Sequence, residues 1–326
     1  MDAAAGSGHR VLIGATDDAL VAGATAFAAA GLKAGQPVVV AVTEPTAALL
    51  RAALAGEPAV AWADWADVYG NGPAAAITAV RRLAERHRSD GSPVVRVVLE
   101  PLGSHDPDSW REWQRYDAVL DHAVAGSPLE VLCLTDRRRV PGPLVEAATA
   151  THPQLLADGD DTPNPAYVDP ATYLTSLPVP PEPLEETAPL LRADSVRDLR
   201  GLRRELAEQA AEAPLPAGSE PALEDFLLAV DEMTTNALRH GRPPVDLRLW
   251  AGHGRLVCTV TDRGAGLDDP FIGYGPAHGD DLSLGGMGLW LARQLCDHVD
   301  ISPGADGVRV RLTTVLRPDG HAAPGA

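Results

Sequence analysis

The sequence predicts two successive folds: an α/β domain on a parallel sheet, then an α+β domain with helices on one side of an antiparallel sheet. Three observations predict this. Up to about residue 157, continuous apolar runs alternate with helical stretches and show little period-2 alternation, as strands covered on both faces do. A proline-rich acidic stretch then interrupts the chain. Beyond it two strand runs follow one another directly, separated by Gly252-His-Gly254, a hairpin signal. A length of 326 residues, at about 150 per domain, agrees with two domains.

In the first domain, Val11-Leu-Ile13 is a short strand run, followed by a helix from Asp17 to Ala30 that stops at Gly31. Pro37 to Val42 is a buried strand and Thr46 to Leu54 a helix. Ala74 to Arg88 is a helix with Ile77, Val80, Leu83 and Ala84 on one face. Pro93 to Leu99 is a strand, Trp110 to Ala125 a helix and Leu129 to Leu134 a strand.

Residues 157–190 hold eight prolines, seven acidic residues and no basic one. Proline removes amide donors and favours extended chain, so 169–189 is expected to be a stiff, solvated linker. After it, Ser195 to Glu212 is an amphipathic helix with Val196, Leu199, Leu202 and Leu206 toward a core. Pro221 to His240 is a second helix, buried through Leu223, Phe226, Leu227, Val230, Ala237 and Leu238. Strands 245–250 and 256–261 follow, then a glycine-rich stretch, a helix from Met287 to Cys296 and a last strand over 308–315.

The net charge of −18 argues against a nucleic-acid partner, because binding a phosphate backbone rests on cations that displace its counterions. Lys33 is the only lysine, which nearly excludes lysine chemistry. Cys133, Cys258 and Cys296 are scattered without CxxC spacing and suggest neither a disulfide framework nor a zinc site. No signal-peptide pattern opens the chain, and the most apolar stretch, 19–31, is too short to span a bilayer. A cytoplasmic protein is expected.

On the 221–240 helix a polar stripe of Asp225, Glu232, Asn236 and Arg239 lies apart from the apolar face. A solvated face would suffice to explain it. Yet Asn236 can offer Mg²⁺ a hard oxygen, and Glu232, one turn away, can orient a hydroxyl or water nucleophile. Arg239 can add positive charge beside phosphates. Asp262-Arg-Gly264-Ala-Gly266 ends a strand, where the carboxylate can accept from a donor such as an adenine amino group. Gly285-Gly286-Met-Gly288 precedes a helix and can expose amides to an anion. The polar, glycine-bearing residues 267–284 between the two glycine stretches suit a mobile lid.

In this order and spacing, the three stretches resemble the GHKL (Bergerat-type) ATPase superfamily of histidine kinases, gyrase and MutL. Asp231-Glu232-Met-Thr-Thr-Asn236-Ala-Leu-Arg-His240 is similar to its N box, and the two glycine stretches to its glycine boxes. The short lid and the form of the N box resemble bacterial anti-sigma serine kinases of the RsbW and SpoIIAB type. The resemblance implies a two-layer α+β ATPase domain over 190–318 that binds ATP and Mg²⁺. It implies Glu232 as general base, Asn236 as metal ligand and Asp262 as the adenine contact. Gly264, Gly266, Gly286 and Gly288 would lie along the nucleotide. Gly307-Val308-Arg309-Val310 departs from the family's Gly-Thr-x-Val strand entry.

His9, Glu100, Trp110, Tyr116-Asp117, Cys133-Leu-Thr-Asp136-Arg-Arg-Arg139, Thr151-His152-Pro153 and Asn164-Pro-Ala-Tyr167 resemble the MEDS sensory domain over 8–168. That family implies a RecA-like fold, but no GxxxxGK[ST] phosphate loop occurs here. Arg137 to Arg139 form either an anion site or a salt-bridged turn.

Together these readings imply a sensory domain controlling an anti-sigma regulator that phosphorylates a serine or threonine of an anti-sigma-factor antagonist. Its partners would be a sigma factor and that antagonist, with no membrane or nucleic acid, and a homodimer is allowed. Two alternatives stand: an ATP-dependent binding module without catalysis, and a histidine kinase lacking its phosphoacceptor. No histidine lies between His152 and His240, so a dimerising phosphoacceptor helix before the ATPase domain is not expected.

Overall fold

A computed structural model describes residues 8–316 except 71, 89–93, 102–108, 126, 158, 214, 268, 276–286 and 305–306. The chain divides into two compact units, within Met1–Leu177 and Pro178–Ala322.

The first unit runs β1 (His9–Gly14), α1 (Asp17–Lys33), β2 (Val38–Ala41), α2 (Glu44–Ala53), β3 (Val60–Trp62), α3 (Trp65–Tyr69) and α4 (Pro73–His87). It continues with β4 (Val95–Leu99), α5 (Trp110–Val124), β5 (Leu129–Asp136), α6 (Gly142–Thr151), β6 (Gln154–Ala157), β7 (Asp160–Pro163) and α7 (Pro170–Ser176). The sheet order is β3-β2-β4-β5-β1-β6-β7. Every pairing from β3 to β6 is parallel, and only β7 runs antiparallel at the edge. Leu12, Val38, Val40, Val98, Leu132 and Leu134 pack under α1 and α2 in one apolar cluster. The alternate residues Val11, Val39, Val97, Val131 and Cys133 are equally buried on the other face, which explains the unalternating strand runs. Thr16 caps α1 by accepting from the Ala19 amide (3.2 Å), and Asp17 and Asp18 suit its positive end.

The second unit comprises β8 (Leu191–Ala193), α8 (Leu199–Glu212), α9 (Glu220–His240), β9 (Asp246–Gly252), β10 (Arg255–Asp262), α10 (Met287–Leu295), β11 (His298–Gly304) and β12 (Gly307–Val315). The sheet order β11-β12-β10-β9-β8 is antiparallel throughout. α9 packs against α8, α10, β10 and β12. Phe226, Val230, Met233, Leu247, Leu249, Leu256, Cys258, Val260, Leu289 and Leu312 form the shared core, where each large apolar side chain contributes about 1.5–3 kcal/mol by leaving water.

Several sequence expectations change. The edge strands β3, β7, β8 and β11, and β6 beside β7, were not anticipated. β7 is Asp160-Asp-Thr-Pro163, wholly exposed and acidic, and is a strand only because β6 pairs with it across Gly159 at φ +88°. The helix expected from Ser195 begins at Leu199: Ser195 has φ +53°, its amide donates to Asp246, and Asp198 caps the helix instead. Leu238 is 36% exposed, because the last turn of α9 projects beyond the buried face.

The expected solvated linker, 169–189, is largely folded. Residues 170–176 form α7, and Pro183–Glu186 is a 3₁₀ turn. Leu184 packs on Trp250 and Val257, on the sheet face away from α9. Thr187 O accepts from Trp250 Nε1 (3.1 Å) and Pro180 O from Arg311 (2.8 Å). Glu182 faces Arg255 at 3.4 Å, and Glu185 pairs with Arg309 and Arg311. The acidic stretch has its cations on β10 and β12, about seventy or more positions further along the chain.

Candidate functional site

α9 buries Phe226, Ala229, Val230, Met233 and Ala237, which leaves Glu232 and Asn236 half-buried, one turn apart on the same flank. Neither side chain makes a hydrogen bond among the described residues. Gly288, in the first turn of α10, lies against both. A β-carbon there would sit 2.8 Å from Glu232 Oε2 and 2.9 Å from Asn236 Nδ2. The first turn of α10 thus meets the acid and the amide at a glycine, where a side chain would have to displace both of their ends.

Asp262 ends β10. Its Oδ1 accepts from the amides of Gly264 (2.6 Å) and Arg242 (3.1 Å), while Oδ2 has no hydrogen-bond partner among the described residues. Three glycines close on this aspartate. A β-carbon on Gly241 would lie 2.4 Å from its Cγ, one on Gly264 2.7 Å from Oδ1, and one on Gly307 1.9 Å from its carbonyl oxygen. Gly266 takes φ +95°, a turn that favours glycine, over Val308. Two anchored sites therefore arise, one at the Glu232–Asn236–Gly288 junction and one at Asp262.

Arg239 is exposed in the last turn of α9, and among the described residues no hydrogen bond or ion pair joins it to Glu232 or Asn236. Gly286 and most of the expected lid lie outside the described residues. Arg203 of α8 was not anticipated. Its guanidinium is bound by Asp231 through two hydrogen bonds, which raise its pKa, and Glu232 adds a further raising influence. Nothing in the sequence separates it from Arg200 and Arg204 nearby. Gly241 and Gly307 were likewise missed as Asp262 neighbours, since close backbone approach leaves no local signal.

In the first unit, residues distant in sequence meet at one buried place. β1 and β5 pair in register Val11 to Cys133, so His9 and Cys133 are diagonal neighbours on one face. Gln154 pairs with Arg10, bringing His152 to the same end. His9 Nε2 lies 3.5 Å from Cys133 Sγ, and the two imidazole centroids are 4.0 Å apart. His9 Nδ1 faces Asp121 at 3.4 Å, and Asp121 accepts from the Tyr167 hydroxyl (2.6 Å). Nearby, Tyr69 and Tyr116 share a hydroxyl contact of 3.2 Å. Burial pushes the Asp117 carboxyl up to about 7. Burial, aided by Asp117, raises the Cys133 thiol, and burial followed by His9 lowers His152.

Glu100 accepts from the Thr43 amide (2.8 Å), the Thr43 hydroxyl (2.6 Å) and the Thr46 hydroxyl (3.0 Å). Arg138 and Arg139 pair with Asp136, and Arg138 also with Asp17. The basic run is a salt-bridged turn.

Residues 8–153 match the family model MEDS, the methanogen/methylotroph, DcmR sensory domain, and residues 192–314 match the histidine kinase-like ATPase domain. The chain carries a MEDS domain at its N-terminus and a GHKL-like ATPase domain at its C-terminus. Within the second class it is similar to serine-protein kinase RsbW of Bacillus velezensis and of Bacillus subtilis. Each is 35% identical over 105 residues, which is 29% of this chain and 65% of the relative. RsbW of Bacillus licheniformis is 36% identical over 105 residues. The chain thus spans somewhat under two thirds of the relatives it matches. No helix among the described residues is long and apolar enough to cross a membrane.

Proposed function

We propose that the second unit is an ATP-dependent protein serine/threonine kinase of the anti-sigma type. It would act on a hydroxyl of an anti-sigma-factor antagonist in the cytoplasm, with a sigma factor as its other partner. The observation that carries this is the convergence of uncommitted Glu232 and Asn236 on Gly288. The likeness to serine-protein kinases supports it.

The donor set fits the nucleotide: a free carboxylate and amide beside a helix N-terminus, and an aspartate with one oxygen unused. Asn236 Oδ1 would hold Mg²⁺, which when bound supplies charge neutralisation at the phosphates. Asp262 Oδ2 would accept from the adenine amino group while Oδ1 stays anchored by its two amides. The backbones of Gly264, Gly266, Gly286 and Gly288 would border the nucleotide, and Arg239 would add positive charge from the helix end. Glu232 would take the proton of the incoming hydroxyl. For the first unit we infer a RecA-like sensor without hydrolysis. The order β2-β4-β5-β1-β6 supports that fold, while Asp17 and Asp18 in the first turn of α1 oppose phosphate binding.

The test is transfer from labelled ATP to a purified antagonist. Glu232→Gln keeps the side-chain shape and should still bind ATP, but should lose about 10²-fold or more in transfer. Undiminished transfer would remove Glu232 as base. Val308, in place of the family's threonine, favours a second reading. ATP and antagonist binding by the wild type with no acid-stable phosphoserine or phosphothreonine would select a non-catalytic binding module.

A further inference from the structure

We propose that His9, Cys133 and His152 of the first unit form a site for one divalent metal ion of the zinc class. The three side chains come from β1, β5 and the end of α6, all at 0–1% exposure, and one ligand atom from each lies within 4.8 Å of the others. Bonds of about 2.0–2.3 Å at tetrahedral angles put ligand atoms roughly 3.3–3.8 Å apart. The His9 Nε2 to Cys133 Sγ distance of 3.5 Å already falls in that range, and small side-chain rotations close the rest.

The His152 imidazole is held in the tautomer that ligation needs. His152 Nδ1 donates to the Ala148 carbonyl (2.7 Å), which places the lone pair on Nε2, and that atom is buried without a hydrogen-bond partner. His9 Nδ1 lies 3.4 Å from the Asp121 carboxylate, itself bonded by Tyr167, and makes no hydrogen bond, while Nε2 faces the cysteine sulfur. A carboxylate or carbonyl behind each ligating histidine is the usual outer arrangement of a metal centre. A buried imidazole nitrogen left unpaired carries an uncompensated desolvation cost, which a metal bond at His152 Nε2 would offset. On binding, the metal–sulfur bond replaces the S–H bond of Cys133 and one proton leaves to solvent. Two histidines and one cysteine leave the fourth position open to water or a small exogenous ligand.

The experiment is titration of the reduced, untagged, full-length chain with Co²⁺ under excess Mg²⁺. The expected result is a thiolate-to-cobalt charge-transfer band with tetrahedral d–d bands that saturates at one equivalent and is displaced by Zn²⁺. The band should persist in the C258A/C296A variant, which leaves the site untouched, and vanish in Cys133→Ser. His152→Gln should weaken Co²⁺ binding at least about tenfold. No charge-transfer band in the wild type, loss of the band in C258A/C296A, or its survival in Cys133→Ser would each overturn the assignment. The first two readouts do not depend on Cys133→Ser folding.

Discussion

Gly288 and Glu232 are in such close approach that a β-carbon on the glycine would lie 2.8 Å from the carboxylate Oε2. Asn236 Nδ2 would be 2.9 Å away. Both atoms end flexible side chains, so alanine at 288 can be accommodated by displacing them. Gly288→Ala should leave stability unchanged or raise it by up to about 1 kcal/mol, since alanine favours a helix. Displacing the base should nevertheless reduce phosphotransfer about 10²-fold. Denaturant melts beside transfer assays check this, and unimpaired transfer would show that the contact does not position Glu232.

Asn236→Ala separates metal holding from nucleotide holding. ATP affinity in Mg²⁺ should fall about tenfold or more, the scale of a lost contact to a charged group. Affinity in excess chelator should hardly change. Calorimetry under both conditions reads the difference, and equal losses in both would deny Asn236 the metal role.

Leu184 is 6% exposed against Trp250 and Val257. Leu184→Ala should therefore destabilise the second unit by about 2 kcal/mol, near the lower end for buried leucine truncations because the outer cluster is small. Urea unfolding monitored by the ATP-dependent shift of the midpoint reports on that unit. No change would return the segment to the status of a tether.

Burial raises the pKa of Glu100 even though three hydrogen bonds oppose it. A carboxyl with a raised native pKa favours the fold most below its unfolded value. That contribution is lost as pH rises through the native pKa. Glu100→Gln removes the titration, and the Thr46 hydroxyl can rotate to accept from the new amide. The variant should gain stability relative to the wild type as pH rises from 4 toward neutrality, measured by urea midpoints across pH. An unchanged difference over that range would refute the burial argument.

Much of the second unit's framework was legible because it is local. The 3.6-residue period of 221–240 and the hairpin glycines at 252 and 254 are one-dimensional signals, and the helix and strands appear where they indicate. The glycines of 285–288 announced a helix start, and α10 begins at Met287. Short edge strands escaped because their residues are chosen by a partner: Asp160-Asp-Thr-Pro163 has no strand pattern of its own.

By itself the sequence determined the types of the longer central elements, the order of the two folds and the stripe that carries Glu232 and Asn236, since each follows from residue spacing along the chain. Only tertiary structure decided what those residues meet. It set Gly288 against the stripe, closed Gly241 and Gly307 on Asp262, and matched the acidic 182–186 turn with Arg255, Arg309 and Arg311. It also turned scattered His9, Cys133 and His152 into one cluster. The physical reason is that strand register and helix packing join residues from about twenty to more than a hundred positions apart, and no periodicity along a single segment encodes such distances.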